Sequence, residues 1–237
     1  MSLKNPEKPV TPSITVQQCI ENLRAYKPPP DKFIYKNRAA VLIPLIINPI
    51  TGDLDVLFIK RADNLKSFPG EAAFPGGRID PTDENLYITA TREAEEEIGL
   101  KRSDIELLCQ FPPLLTSNFL LVSSFVALIK NPAEFKPTLN PQEVSQIFMV
   151  PLRLFISREI HDHKDVDWGG QPYRIHIFRW QSWTILGLTS HLMNSVVKVA
   201  YRLSELPWTE YAPNQLEDSL LILALRPEIK LISESNI

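Results

Sequence analysis

Apolar residues recur along this chain with two different periods, and the alternation between them outlines the elements. From Val16 to Tyr26 the stretch is amphipathic at helical spacing, with Ser13 and Thr15 before it and Pro28-Pro29-Pro30 after it, so a short helix is expected. After Arg38 a β-branched run covers Ala39–Ile47, a turn holds Pro49 and Gly52, and Leu54–Ile59 follows, which predicts a β-hairpin. Pro69–Gly77 is a Gly/Pro loop. Residues Asp83–Ile98 contain neither glycine nor proline and place Ala and Glu at helical spacing. Further strands are expected at Ile105–Phe111, Leu120–Ile129, Val144–Val150 and Arg174–Trp180, punctuated by Pro112-Pro113 and by the stretch from Pro132 to Pro141. Helices are expected at Gly187–Leu203 and Asn214–Ala224. Residues 1–13 read as a flexible tail and 14–237 as one domain. Strands first, a helix in the middle and a helix late, with no βαβ rhythm, indicate an α+β fold.

Composition narrows this little. The 237 residues are 44% hydrophobic and 22% charged, ordinary for a globular chain able to bury a sizeable core. A net charge of -3 gives no electrostatic case for nucleic acid as the main partner. The longest apolar runs, Ala39–Ile47 and Leu220–Leu225, are far shorter than the ~18 residues that span a membrane. Cys19 and Cys109 stand far apart without ligand-like spacing, which argues against a disulfide scaffold or a structural zinc site and fits a reducing, intracellular compartment.

The chemistry gathers at residues 76–100, GGRIDPTDENLYITATREAEEEIGL. On a helix, Glu93, Glu96 and Glu97 fall within an arc of about 100°, while Tyr87, Ala90, Ala94 and Ile98 form an adjoining apolar stripe. The helix can dock by that stripe and leave three carboxylates at the rim of a cleft. Gathering like charges costs a few tenths of a kcal/mol per pair, so the acids either face water or hold cations. Carboxylate oxygens suit Mg2+ or Mn2+, which in turn bridge phosphates. The loop Phe74-Pro75-Gly76-Gly77 ahead of the helix permits positive φ and close backbone approach to a ligand. Arg92 can pair with an acid and orient its neighbours, and Gly99 stops the helix.

Gly77, Asp83, Arg92-Glu93-Ala94, Glu96-Glu97, Gly99 and Leu100 resemble the Nudix box, G-x5-E-x7-R-E-U-x-E-E-x-G-U with U apolar. Two departures are visible: Asp83 stands in place of the first Glu, and eight residues rather than seven separate it from Arg92. Upstream, Leu57-Phe58-Ile59-Lys60-Arg61-Ala62, Lys66, Gly70 and Phe74-Pro75-Gly76-Gly77 resemble the second signature of the coenzyme A pyrophosphatase subfamily, L-L-T-x-R-[SA]-x3-R-x3-G-x3-F-P-G-G. Phe58, Ile59 and Lys66 replace Leu, Thr and Arg, and that subfamily also tolerates the longer box with Asp.

The resemblance implies a Nudix fold, a mixed β-sheet sandwiched between α-helices. It implies a pyrophosphatase in which Mg2+ or Mn2+ is held by Glu93, Glu96 and Glu97, with Arg92 orienting them. Substrate would meet Arg61, Lys66, Gly76 and Gly77, Arg as a bidentate phosphate grip and Lys as a point charge. A substrate of coenzyme A type would give 3′,5′-ADP and 4′-phosphopantetheine. Other Nudix activities on oxidised nucleoside triphosphates or NADH, and a silent nucleotide-binding domain, stay open. Glu143 either assists the metal or water, or is a surface carboxylate. His161, Asp162, His163 and Asp165 read as a polar hairpin loop rather than a second metal site. Phe178, Trp180 and Trp183 are core or pocket wall, or stack adenine. Related enzymes reside in peroxisomes or mitochondria, yet Glu234-Ser235-Asn236-Ile237 is not the usual peroxisomal address, so a peroxisomal or cytoplasmic place both remain.

Overall fold

The computed structural model describes residues 14–232. The expected tail and the C-terminal tetrapeptide lie outside the described residues. In chain order the elements are α1 (Val16–Ala25), β1 (Phe33–Ile34), β2 (Arg38–Ile47), β3 (Leu54–Arg61), β4 (Ala72–Ala73), β5 (Gly76–Arg78), α2 (Leu86–Ile98), β6 (Ile105–Leu115), β7 (Leu121–Ile129) and β8 (Val144–Pro151). There follow β9 (His161–Trp168), β10 (Gln171–Trp180), β11 (Trp183–Leu186), α3 (Gly187–Ala200), α4 (Asp218–Leu225) and β12 (Lys230–Leu231). The main sheet runs β4-β3-β2-β7-β6, with β5 added to β2 and β8 to β3. It is mixed, because β2 and β7 pair parallel while the other pairings are antiparallel.

Alternation along the central strands sends side chains to two different cores. Ala40, Leu42, Ile46, Leu57 and Ile59 face α2 and pack with Ala90, Ala94, Ile98 and Leu100. Ile43, Leu45, Val56 and Phe58 face the other way, towards Ile20 and Leu23 of α1 and Leu192, Met193, Val196 and Val197 of α3. The sheet is therefore sandwiched between helices, as expected, and each face follows from a period of two in the strands meeting a period of 3.6 in the helices. Burying a side chain such as Ile98 contributes roughly 1.5–3 kcal/mol, which pins α2 and everything it carries to the sheet.

Some expectations need correction. The helix of the acidic segment begins at Leu86, not Asp83: Asn85 takes the N-cap, its side chain accepting from the Tyr87 and Ile88 N–H groups. Asp83 is thus freed from the helix. Pro112 and Pro113 do not end their strand, which runs on to Leu115 with a register irregularity between Phe111 and Leu114. As the terminal strand of the sheet path, β6 has a side where a missing N–H costs no ladder bond. The segment expected as a polar hairpin loop is β9, paired over its whole length with β10. No helix among the described residues is long and apolar enough to cross a membrane.

Candidate active site

Three elements deliver three carboxylates to one place. Glu93 and Glu97 lie one turn apart on α2, and Glu143 precedes β8; an oxygen from each falls within 4.8 Å of the other two. Glu143 is held there from both sides. Its carbonyl accepts from Ala62 N–H at 2.8 Å, just past β3. The segment before it folds back over the end of α2, where Thr138 N–H meets the Ile98 carbonyl at 3.0 Å and Asn140 N–H the Glu97 carbonyl at 2.9 Å. Those bonds satisfy helix carbonyls that would otherwise be orphaned. Gly99, at φ 71, ends the helix in the left-handed conformation and lets that segment pass close by.

The expected ligands were Glu93, Glu96 and Glu97, with Glu143 as a possible addition. The structure draws the group differently: Glu143 joins Glu93 and Glu97, and Glu96 stands outside it, more exposed and accepting from Arg92 Nη1 at 3.1 Å. What sets the group apart is desolvation. Glu97 is only 3% exposed, and burial, with repulsion from Glu93 and Glu143, pushes its pKa up to about 8 against one opposing hydrogen bond from Gly76 N–H at 3.1 Å. Burial also raises Glu93, though the neighbouring Arg92 pulls it back.

Arg92 is the organiser. It donates through Nε and Nη2 to Asp83 at 3.0 Å each, through Nη1 to Glu93 at 2.9 Å, and through Nη2 to the Arg78 carbonyl at 3.2 Å. Asp83, clamped by this fork and by Thr89, is held down to about 2. Asp83, standing where the signature has its first Glu, thus meets Arg92 from the segment ahead of the helix.

The glycine pair works by closeness alone. Gly76 and Gly77 form β5 against β2, and neither uses the positive φ that the pair permits. A Cβ on Gly77 would lie 2.3 Å from Glu93 Oε1, and one on Gly76 the same distance from the Ala40 carbonyl. Arg61 ends β3 opposite Val144, beside Glu143, and its charge is felt at Glu97. Lys66 is exposed on the following loop.

Elsewhere the expected residues serve the frame. Asp165 pairs with Arg174 at 2.7 Å and Asp162 with Arg179 at 2.8 Å. Phe178 is fully buried, Trp180 packs on the same core, and Trp183 stacks on Phe148 at 3.9 Å. Both cysteines are buried and free.

The NUDIX domain model matches residues 36–169, spanning β2, the glutamate helix, Glu143 and β9. This chain belongs to the Nudix family. It is 35% identical over 185 residues to Nudix hydrolase 15, mitochondrial, of Arabidopsis thaliana, covering 76% of this chain but 64% of that one, so it spans less than two thirds of the plant protein. It is 34% identical over 187 residues to an uncharacterized Nudix hydrolase NudL of Photorhabdus laumondii, covering 78% and 97%. The peroxisomal coenzyme A diphosphatase of Mus musculus is 34% identical over 162 residues, covering 66% and 67%. Among solved structures, a MutT/nudix family protein of Enterococcus faecalis overlays 78% of this chain and 70% of its own, at 19% identity and a TM-score of 0.48. Nudix hydrolases generally use divalent metals such as Mg2+ or Mn2+. An all-carboxylate group, crowded, desolvated and short of counter-charge, suits such hard cations.

Proposed function

We propose that this Nudix protein hydrolyses the pyrophosphate bond of coenzyme A or its derivatives, with Mg2+ or Mn2+ held by Glu93, Glu97 and Glu143. The observation that carries this reading is the convergence of those three carboxylates beside Gly76, Gly77 and Arg61. The upstream signature, Arg61-Ala62, Gly70 and Phe74-Pro75-Gly76-Gly77, and the mouse coenzyme A diphosphatase among its relatives support this substrate class. Bound there, a divalent cation neutralises phosphate charge and eases ionisation of a water.

The chain's own residues do the rest. Arg92 fixes Glu93 and, towards solvent, Glu96, which would be a further carboxylate able to hold a cation. Glu93 and Glu97 offer carboxylates to take the proton of the attacking water. That water's oxygen ends on one phosphorus while the bridging oxygen leaves with the other, giving two phosphomonoesters. Arg61 meets phosphate charge beside the carboxylates, and Lys66 adds a point charge from the loop.

The test is product identification by mass spectrometry after incubating the purified chain and Mg2+ with coenzyme A, dephospho-coenzyme A, NADH, ADP-ribose and 8-oxo-dGTP. The expected outcome is 3′,5′-ADP and 4′-phosphopantetheine, formed from coenzyme A with the highest kcat/KM of the panel. Intact coenzyme A beside a cleaved alternative overturns the substrate assignment.

A further inference from the structure

Between β3 and β4 the loop 62–71 is tied down at many points. Arg61 Nε and Nη2 donate to the Ser67 carbonyl at 3.4 and 3.3 Å, Gly70 N–H returns to the Arg61 carbonyl at 3.2 Å, and Arg61 N–H meets the Glu71 carbonyl at 3.0 Å. Glu71 N–H reaches the Phe68 carbonyl at 3.4 Å, and Leu65 N–H the Ala62 carbonyl at 3.3 Å. Phe68 sits inside this mesh with φ 53, a left-handed backbone that a bulky aromatic residue rarely adopts. The carbonyls of Ser67 and Phe68 are both engaged, so the peptides on either side of that strained residue are held. The result is a large apolar ring, 40% exposed, that no ring contact covers among the described residues.

Its place gives that exposure a purpose. The residue before it is gripped by Arg61, whose charge reaches Glu97, and Lys66 lies two positions upstream. A flat apolar face beside two cations matches a nucleotide, whose base and phosphates are joined by one sugar. The tryptophan candidates for stacking are less free: Trp183 has one face on Phe148, and Trp180 packs on the core.

We propose that Phe68 is the stacking platform for the adenine ring of the substrate nucleotide, held out by Arg61 and the closed loop 62–71. The proposal rests on the reading that this site takes an adenine nucleotide diphosphate, and it adds the residue that selects for a base.

Binding of 1,N6-ethenoadenosine 5′-diphosphate, whose emission is quenched by stacking, tests it, with inorganic pyrophosphate and Mg2+ as the base-free control. Wild type and Phe68→Trp should quench the probe. Phe68→Ala and Phe68→Gly should lose the quench and weaken binding by about tenfold or more, with pyrophosphate affinity unchanged. Glycine accepts the positive φ, so Phe68→Gly keeps the loop's backbone while removing the ring. Probe affinity within twofold of wild type in Phe68→Gly, or an equal loss of pyrophosphate binding, overturns the proposal. Ring-dependent quenching without coenzyme A cleavage overturns only the substrate reading, whereas coenzyme A cleavage with a Phe68→Gly KM equal to wild type overturns only the platform.

Discussion

Two regions of this molecule collect titratable side chains, and they solve the same electrostatic problem in opposite ways. Along β9 and β10 two acids each have an arginine: Asp165 meets Arg174, Asp162 meets Arg179, and both carboxyl groups are held below their usual range. Burial holds His161 and His176 below their usual range, and the two rings share a 2.9 Å contact while His176 Nε2 donates to the Glu210 carbonyl at 2.8 Å. At Glu93, Glu97 and Glu143 the carboxylates face one another instead, and desolvation drives the buried members up. Groups that neutralise each other build structure. Groups left short of counter-charge are poised to take it from a ligand, and strongly perturbed acids in a cleft mark such places. Arg92 marks the border, pairing with Asp83, Glu93 and Glu96 yet leaving Glu97 unmatched.

The largest effect expected from this contrast is at Glu97. Glu97→Gln should lower kcat by about two to four orders of magnitude with the circular dichroism spectrum unchanged. The same variant should also reveal the strain. A carboxyl raised from its ordinary 4.5 to about 8 in the folded chain binds its proton more tightly when folded. Its contribution to stability is complete below the unfolded value and fades as pH rises through about 8. In chelator, Glu97→Gln should therefore gain melting temperature relative to wild type between pH 6 and 9, and Mg2+ should close the gap by stabilising wild type alone. A gap that stays constant with pH, or near-normal activity, breaks the distinction between the two regions.

Glycines sharpen it next. Gly77→Ala would drive a Cβ to 2.3 Å from Glu93 Oε1 and should displace that carboxylate, costing about tenfold or more in kcat. Gly170, in the β9–β10 turn, has nothing within 4 Å and is glycine because its φ is 82. Gly170→Ala should cost roughly 1–2 kcal/mol in denaturant unfolding and leave kcat untouched. Equal losses of activity in both variants would remove the division of labour.

These differences also explain what could be read from residue order. The α2 helix, its apolar stripe and its terminal Gly99 are local, set by a period of 3.6 and a capping residue, so they were legible in the sequence, as were β2, β3 and β7. The match to the Nudix signatures carried the family. Glu143 was harder, because its position depends on residues 138–140 folding back onto the α2 carbonyls, a contact that no periodicity encodes. β9 was missed because His161–Trp168 is largely solvent-exposed on both faces, which erases the period of two. The remaining signal was Gly169-Gly170, a glycine pair of the kind that closes two-residue hairpins, with Gly170 N–H donating to Asp167 Oδ1 at 2.9 Å. Phe68 carried no sequence mark at all, since its strain comes from loop closure.

The smallest expected effect lies in the histidine pair and runs opposite in pH to that of Glu97. Burial, and then charge from the neighbouring histidines and Arg174, holds His161 and His176 below the ordinary 6.5. Each ring then binds its proton more weakly in the folded chain than in the unfolded one. Stability is complete above pH 6.5 and is lost as the pH falls below it. His161→Phe keeps a ring to stack on Trp208, which lies 3.8 Å from it, but removes one titrating group and the N–H that serves His176 Nδ1. At pH 7.5 the variant should be less stable than wild type by about 1 kcal/mol for the lost hydrogen bond. By pH 5 that deficit should shrink, because wild type alone still carries the penalty of keeping His161 neutral. Urea midpoints at the two pH values measure this, with kcat unchanged at both. A deficit that does not shrink would mean that His161 is already free to charge, and the self-neutralised region would no longer stand as the counterpart of the carboxylate site.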